Sequence, residues 1–294
     1  MNRELKPASK ALVYTVLVII CFICVIPIIA VVSISFSTDL TIAKEGYSIF
    51  PKDFTTDAYR YVFTDSASIL RSYGVSLFVT LVGCALGLTL NALMAYVLSR
   101  PDYRHRGKLT VFLTIPMVLN GGLIPTYILL TRYLHLKNTL AVMILPMLVV
   151  PWFIILMRTF FSQIPHSLVE AATVDGAGEM RIFLQIILPL SKPALATVGM
   201  FITLNYWNDW FQPLMYIDKR ELYNLQYRLY ILMKDVQEML RNSAISGMGI
   251  SVAEIPTESM RMAMCVIAAG PMLVVFPFFQ KYFVKGLTVG GVKG

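Results

Sequence analysis

The sequence predicts an all-α integral membrane protein with six transmembrane helices and a short helix–turn–helix between the fourth and fifth. Three observations carry that expectation. Of 294 residues, 57% are hydrophobic and only 14% charged, where soluble domains carry about 25% charged residues. Six runs, residues 11–32, 75–98, 109–131, 138–157, 193–217 and 262–280, are long and apolar, and a hydrocarbon core takes about 20 such residues. Between the fourth and fifth runs lies a polar, glycine-punctuated stretch, residues 166–190. Lipid offers the backbone no hydrogen-bond partners, so each run is read as a helix.

In order, residues 1–10 form a basic tail with Arg3, Lys6 and Lys10. That flank suits a signal peptide, but 22 uncharged residues follow without a small-residue cleavage site, so the run is read as a retained span. Residues 33–74 are rich in aromatics (Phe36, Tyr47, Phe50, Phe54, Tyr59, Tyr61, Phe63) and are read as an outer segment. The third run holds Pro116, Asn120-Gly121-Gly122 and Pro125. Proline removes a helix donor and paired glycines weaken the helix. A break is expected there, either a packing kink or a bend lining a pathway, with Asn120 as a lining residue. Residues 218–261, the second outer segment, place Leu222, Leu225, Leu229 and Leu232 at helical spacing, which predicts an amphipathic helix. Residues 284–294 are a C-terminal tail beyond a six-span body at 11–283.

Lys and Arg near span ends set orientation. With the N-terminus inside, inner segments hold 13 and outer segments 12. Short loops weigh most, and residues 99–108 pack three Arg and one Lys into ten positions. Both termini are therefore expected on the cytoplasmic side, with the chain crossing the membrane several times. The net charge of +8 comes mostly from residues beside apolar runs, which reads as membrane anchoring rather than nucleic-acid binding. Cys21, Cys24, Cys84 and Cys265 lie inside apolar runs and are read as small packing residues. His105, His135 and His166 are far apart and make no metal-ligand spacing.

Polar groups within a span are costly and point to function. Asn205, Asn208, Asp209 and Gln212 recur at i, i+3, i+4 and i+7 in the fifth run, with Tyr206, Trp207 and Trp210 among them. On a continuous helix the four share a face. Directed donors and acceptors beside flat rings suit a hydroxylated ring compound, with Asn205, Trp207, Asn208, Asp209 and Gln212 lining its pathway. The competing account is an interfacial aromatic belt with amides bonding neighbouring helices.

Residues 170–189 read EAATVDGAGEMRIFLQIILP. Ser167 and Glu170 have capping-box spacing, so Ser167 is expected at the N-cap. Gly176 suits a turn with positive φ. A second helix over residues 179–188 is expected to align Met180, Phe183, Ile187 and Leu190, and Pro189 and Pro193 to end it and start the fifth span.

This stretch resembles the loop motif of ABC-importer permeases: E-A-A, three residues, G, nine residues, I-x-L-P, here Glu170-Ala171-Ala172, Gly176, Ile186 and Leu188-Pro189. The following LPLSKPALAT, Trp207-Asn208, and the tail from Lys285 are similar to the carbohydrate class, the maltose-permease-like members. Asn120-Gly-Gly-Leu-Ile-Pro125 and residues 206–211 resemble a branch handling complex or acidic oligosaccharides. The resemblance implies a permease subunit that forms half of a pathway with a second homologous permease. Its other implied partners are two ATP-binding subunits and an extracytoplasmic solute-binding protein. Glu170, Ala171, Ala172, Asp175 and Gly176 would meet an ATPase, which holds the ATP and magnesium. No G-x-x-x-x-G-K-[ST] loop occurs in this chain, and no cofactor of its own is expected. Rival readings are an importer of amino acids, peptides or a polyamine, for which anionic Asp209 argues, an ATP-independent carrier, and a membrane-embedded enzyme on lipid-linked sugars. The last needs converging acid–base or metal groups, and Asp209 is the one acid at membrane depth.

Overall fold

The computed structural model describes residues 7–119, 121–246 and 257–290. Among them the regular elements are all helical, and strand-like pairing is limited to an isolated antiparallel bridge between Ser37 and Phe54. In chain order come α1 (Pro7–Ser35), α2 (Asp39–Glu45), α3 (Asp57–Val62), α4 (Ser66–Ser99) and α5 (Arg106–Val118). Next are α6 (Leu123–Tyr133), α7 (Ala141–Met147), α8 (Pro151–Phe161) and α9 (His166–Val174). The last five are α10 (Glu179–Leu190), α11 (Lys192–Trp207), α12 (Phe211–Tyr216), α13 (Leu225–Ser246) and α14 (Glu258–Gly290). Three stretches are long and apolar enough to cross a membrane, Ser9–Ser35, Asp57–Ser99 and Glu258–Lys281. The number rises to six if each of the bent pairs α5–α6, α7–α8 and α10–α11 is one crossing.

The described residues group into two compact units. One joins the chain through Ala67 to Leu229–Pro271; the other joins Ser68–Arg228 to α14 from Met272 onward.

In the first unit, α1 presents apolar side chains outward along its length, Leu17, Phe22, Ile23 and Ile28 being at least half exposed. Such a surface is stable against lipid, not water. Past its end the aromatics of residues 33–63 divide. Phe36 stacks between Phe54 at 5.3 Å and Tyr59 at 4.9 Å, while Tyr47 and Phe50 stay exposed. Asp39 caps α14 from outside: its carboxylate accepts the backbone N–H of Thr257, of Glu258 at 3.2 Å and of Ser259 at 2.8 Å. A carboxylate there satisfies orphan donors and complements the helix dipole.

In the second unit, α4 is the central support. It begins at Ser66, not 75, so the last part of the predicted outer segment is helix. Ile69 and Ser72 are buried on this added stretch, whose amphipathic pattern a hydropathy run does not register. Gly83 and Gly87 admit α11 closely: a Cβ on Gly83 would lie 2.5 Å from the Tyr206 ring, and one on Gly87 3.6 Å from Ile202. Small residues serve helix packing in lipid this way. Cys84 joins the same seam, its Sγ accepting from Thr203 Oγ1 at 3.2 Å; Cys21, Cys24 and Cys265 are exposed.

The third run breaks where expected. Helix α5 stops at Val118, and α6 restarts after Gly122 at φ 88°. Pro116 is accommodated inside α5, so the glycines end the helix. Asn120 lies outside the described residues. The fourth run, read as continuous, is divided: α7 and α8 are bent by 49°, because Pro146 and Pro151 withhold backbone donors there.

Candidate functional site

The loop between α8 and α11 starts with α9, whose N-cap is Pro165. The expected capping box is absent. The helix begins at His166, two residues before the predicted start, and Glu170 Oε1 instead pairs with His166 Nδ1 at 2.8 Å. Four residues apart on an exposed helix, the two are near neighbours. The exit from α9 is a Schellman turn. Ala177 N–H donates to Ala172 O at 2.9 Å, Gly176 N–H to Thr173 O at 3.0 Å, and Gly176 sits at φ 79°. A Cβ at Gly176 would meet nothing within 4 Å, so the glycine is required by backbone conformation and not by space. Glu170, Ala171, Asp175 and Gly176 are exposed and Ala172 is half-buried. Val174, the last residue of α9, is 87% exposed.

Helix α10 faces inward with Ile182, Phe183 and Ile187, while Met180 and Leu190 are exposed. The predicted face was therefore only partly right. A π turn at Phe183–Ile187 rephases the helix, and an α-helical wheel misplaces its ends. Beyond Leu190 the chain turns by 85° into α11. Ser191 N–H closes the bend on Ile187 O at 3.0 Å, and the prolines on either side fit the expected break.

The first turn of α10 is tied to the last turn of α4. Tyr96 OH donates to Glu179 Oε2 at 2.5 Å, and Arg100 Nη2 donates to Glu179 Oε1 at 3.1 Å and Asp102 Oδ2 at 3.0 Å. The Arg100 side chain is only 13% exposed, and Phe183 packs on Tyr96 with ring centroids 5.2 Å apart. Sequence reasoning counted Arg100 as an anchor and passed over Tyr96 and Glu179. The signal available was an acid directly after the glycine turn.

The polar cluster of the fifth run is not one helical face. Helix α11 ends at Trp207 and α12 starts at Phe211. Asp209 organises the break: its Oδ1 accepts Phe211 N–H at 3.0 Å and Gln212 N–H at 3.1 Å, and its carbonyl accepts from Asn224 Nδ2. Asp209 Oδ2 and Gln212 Oε1 are buried with no partner among the described residues. Asn205 and Asn208 are exposed. Trp207 and Tyr206 are each 1% exposed, so neither ring offers a stacking face to a solute in this conformation. Trp207 instead packs toward Tyr73 at 6.3 Å. Tyr206 OH donates to Ile144 O at 2.8 Å, where α7 passes from α-helical to 3-10 turns.

Asn91 completes that support. Fully buried on α4, it donates to Leu148 O at 2.7 Å and accepts Val150 N–H at 3.1 Å, so two of the backbone groups between α7 and α8 are matched. A lone amide inside an apolar run was the signal missed.

At the far end of α12, Asn138 adopts φ 59°, a conformation asparagine tolerates, and accepts Asp218 N–H at 2.6 Å. Lys137 pairs with Asp218 at 2.9 Å. Its ammonium and the Asn138 amide hold the Asp218 carboxyl below the ordinary carboxylate range.

A family model described as the binding-protein-dependent transport system inner membrane component matches residues 83–289. Protein LplC of Bacillus subtilis is 40% identical over 260 residues, covering 88% of this chain and 86% of the relative. The polygalacturonan/rhamnogalacturonan transport system permease protein YtcP of the same organism is 36% identical over 283 residues, covering 96% and 97%. A solved structure of a bacterial ABC transporter involved in the import of the acidic polysaccharide alginate superimposes with a TM-score of 0.78 at 28% identity, covering 96% of this chain and all of that one. The matched region contains α9, its glycine turn, the broken fifth helix and the Asn91 support, and the similarity extends over nearly the full chain. The chain is therefore a member of the binding-protein-dependent transport system inner membrane components, a family of transport permeases and not of enzymes.

Proposed function

We propose that this chain is a permease subunit of an ATP-driven, binding-protein-dependent importer of oligosaccharides, acidic ones included. It forms half of the pathway beside a second, homologous permease. An external solute-binding protein delivers cargo to the outer segments, and two ATPase subunits dock on the loop from Pro165 to Leu190. The observation that carries the docking reading is the exposure of α9, with Val174 87% exposed just before a fixed glycine turn. An uncovered valine, with Leu168 exposed on the same helix and Met180 exposed beyond the turn, suits a partner surface. Ala171 and Ala172 let that partner approach the backbone, and Glu170 offers it an acid beyond its His166 contact.

Six crossings follow if α1, α4, α5–α6, α7–α8, α11–α12 and α14 each span the membrane, with both termini cytoplasmic. The 85° turn before α11 suits a helix lying along the surface followed by one entering it. At 16 residues α11 is about 24 Å long, so the Asp209 break falls in the outer part of a core about 30 Å thick.

For cargo, the similarity to permeases of polygalacturonan/rhamnogalacturonan and alginate systems supports an acidic oligosaccharide. Asp209 argues less for a cation than its sequence position implied, since one carboxylate oxygen holds two backbone N–H groups. Exposed Asn205 and Asn208 are the pathway residues this reading retains. The test is uptake by proteoliposomes holding the complete importer. ATP-dependent, saturable uptake of a galacturonide or other oligosaccharide is expected, and a polyamine or amino acid should not compete. Competition by a polyamine, with no oligosaccharide uptake, would refute the cargo assignment.

A further inference from the structure

We propose that Tyr96, Arg100 and Glu179 form a clasp that transmits motion of the docking loop to α4, making Arg100 and Glu179 positioning residues for transport. The inference rests on the docking reading of the loop and adds where its force goes. Both oxygens of the Glu179 carboxylate are held at the C-terminal end of α4, one by Tyr96 OH at 2.5 Å and one by Arg100 Nη2, just past the helix, at 3.1 Å. Charge-assisted bonds of this kind are strong and directional.

The geometry explains why a clasp is needed. Helix α10 joins α11 through an 85° turn at Ser191. A push on α9 would otherwise swing α10 about that corner. With its first turn fixed to the end of α4 and its last turn joined to α11 through the hydrogen-bonded corner at Ser191, α10 is held at both ends and carries the two long helices together. Phe183, 3% exposed and packed on Tyr96 at 5.2 Å, stiffens the same joint. From α4 the displacement reaches α11 through Gly83 and Gly87, and the α7–α8 break through Asn91. Arg100 Nη1 is buried without a partner among the described residues, so the guanidinium depends on Glu179 and Asp102 for compensation.

The experiment uses the complete importer in proteoliposomes with Arg100→Ala, Glu179→Ala, the isosteric Glu179→Gln and the pair Arg100→Ala/Glu179→Ala. Amount of assembled complex, ATP hydrolysis and oligosaccharide uptake are measured on the same samples. The clasp predicts that assembled complexes still hydrolyse ATP while uptake per ATP falls at least about five-fold, the size of a typical coupling free energy. The double variant should be no worse than the single ones, because all three remove the same joint. Glu179→Gln, which keeps shape and one hydrogen bond, should fall between. If uptake falls only in step with the amount of complex assembled, the residues are merely structural and the proposal fails. It fails equally if uptake per ATP is unchanged. Gly176→Val run alongside separates the two readings. Lost ATPase binding there with normal clasp variants overturns the clasp alone, whereas normal binding and coupling in every variant overturns the docking loop as well.

Discussion

The loop around α9 and the broken fifth helix both stood out as polar stretches beside apolar runs, yet they are built in opposite ways. Around α9 the motif side chains point out, and the structure spends its contacts on holding the backbone, through the Schellman turn at Gly176 and the Tyr96–Glu179–Arg100 clasp. In the fifth helix the most conspicuous residues point in. Tyr206 and Trp207 are buried, and Asp209 caps α12. Substitutions in the first region should therefore cost coupling and leave folding intact. Those in the second should cost folding first.

The largest effect expected is from Gly83→Val. A Cβ there already lies 2.5 Å from the Tyr206 ring, and overpacking of a tight helix seam costs about 1–3 kcal/mol or more. Membrane-inserted protein should fall sharply, read by fluorescence-detected chromatography of the solubilised chain. Second is Gly176→Val, a β-branched residue forced to φ 79°. Its chain should insert normally but lose most ATPase co-purification. Equal losses of inserted protein in the two glycine variants would erase the contrast between regions.

Third, Tyr206→Phe removes the hydroxyl bond to Ile144 O, whereas Asn91→Leu leaves Leu148 O and Val150 N–H without their side-chain partner. Each buried orphan costs about 1–3 kcal/mol, so the Asn91 variant should melt lower than the Tyr206 one. Fourth, Asn208→Ala should reduce uptake a few-fold with no change in melting, because the side chain is exposed. A melting shift without an uptake change would move Asn208 to the structural side.

The smallest effect belongs to the Lys137–Asp218 pair. The Asp218 carboxyl is held low and the Lys137 ammonium high. The pair's contribution is therefore present between the ordinary carboxylate and ammonium ranges, about pH 4 to 10. It fades as pH falls through the lowered Asp218 value or rises through the raised Lys137 value. Both groups are exposed, so salt should screen it, and Asp218→Asn should change melting near neutral pH only slightly, less at high salt.

Legibility in the sequence followed the type of signal. Composition made the apolar runs plain, and the three longest helices cover the first, second and sixth runs, with α4 starting earlier at Ser66 and α14 continuing past residue 280 to Gly290, into the stretch read as a tail. Fixed spacing made the glycine turn at Gly176 legible, because positive φ is a local demand. Helical-face reasoning failed at two places for one reason. The π turn at Phe183–Ile187 and the break at Asp209 each change the phase of the helix, so residues counted onto one face are not on it. The fourth run's break was spelled out by Pro146 and Pro151, but its remedy in Asn91 and Tyr206 comes from other helices. The clasp was equally hidden: Tyr96 and Glu179 are 83 residues apart, and only the packed structure joins them.

The central claim is that α9 is the surface an ATPase covers, and Val174 tests it most directly. With Cys21, Cys24, Cys84 and Cys265 replaced, a single Val174→Cys is labelled by a membrane-impermeant maleimide in the detergent-solubilised permease alone and in the assembled importer. The account predicts rapid labelling of the free permease, as an 87% exposed position requires, and strong protection once the ATPase subunits are bound. Equal labelling in both would contradict it.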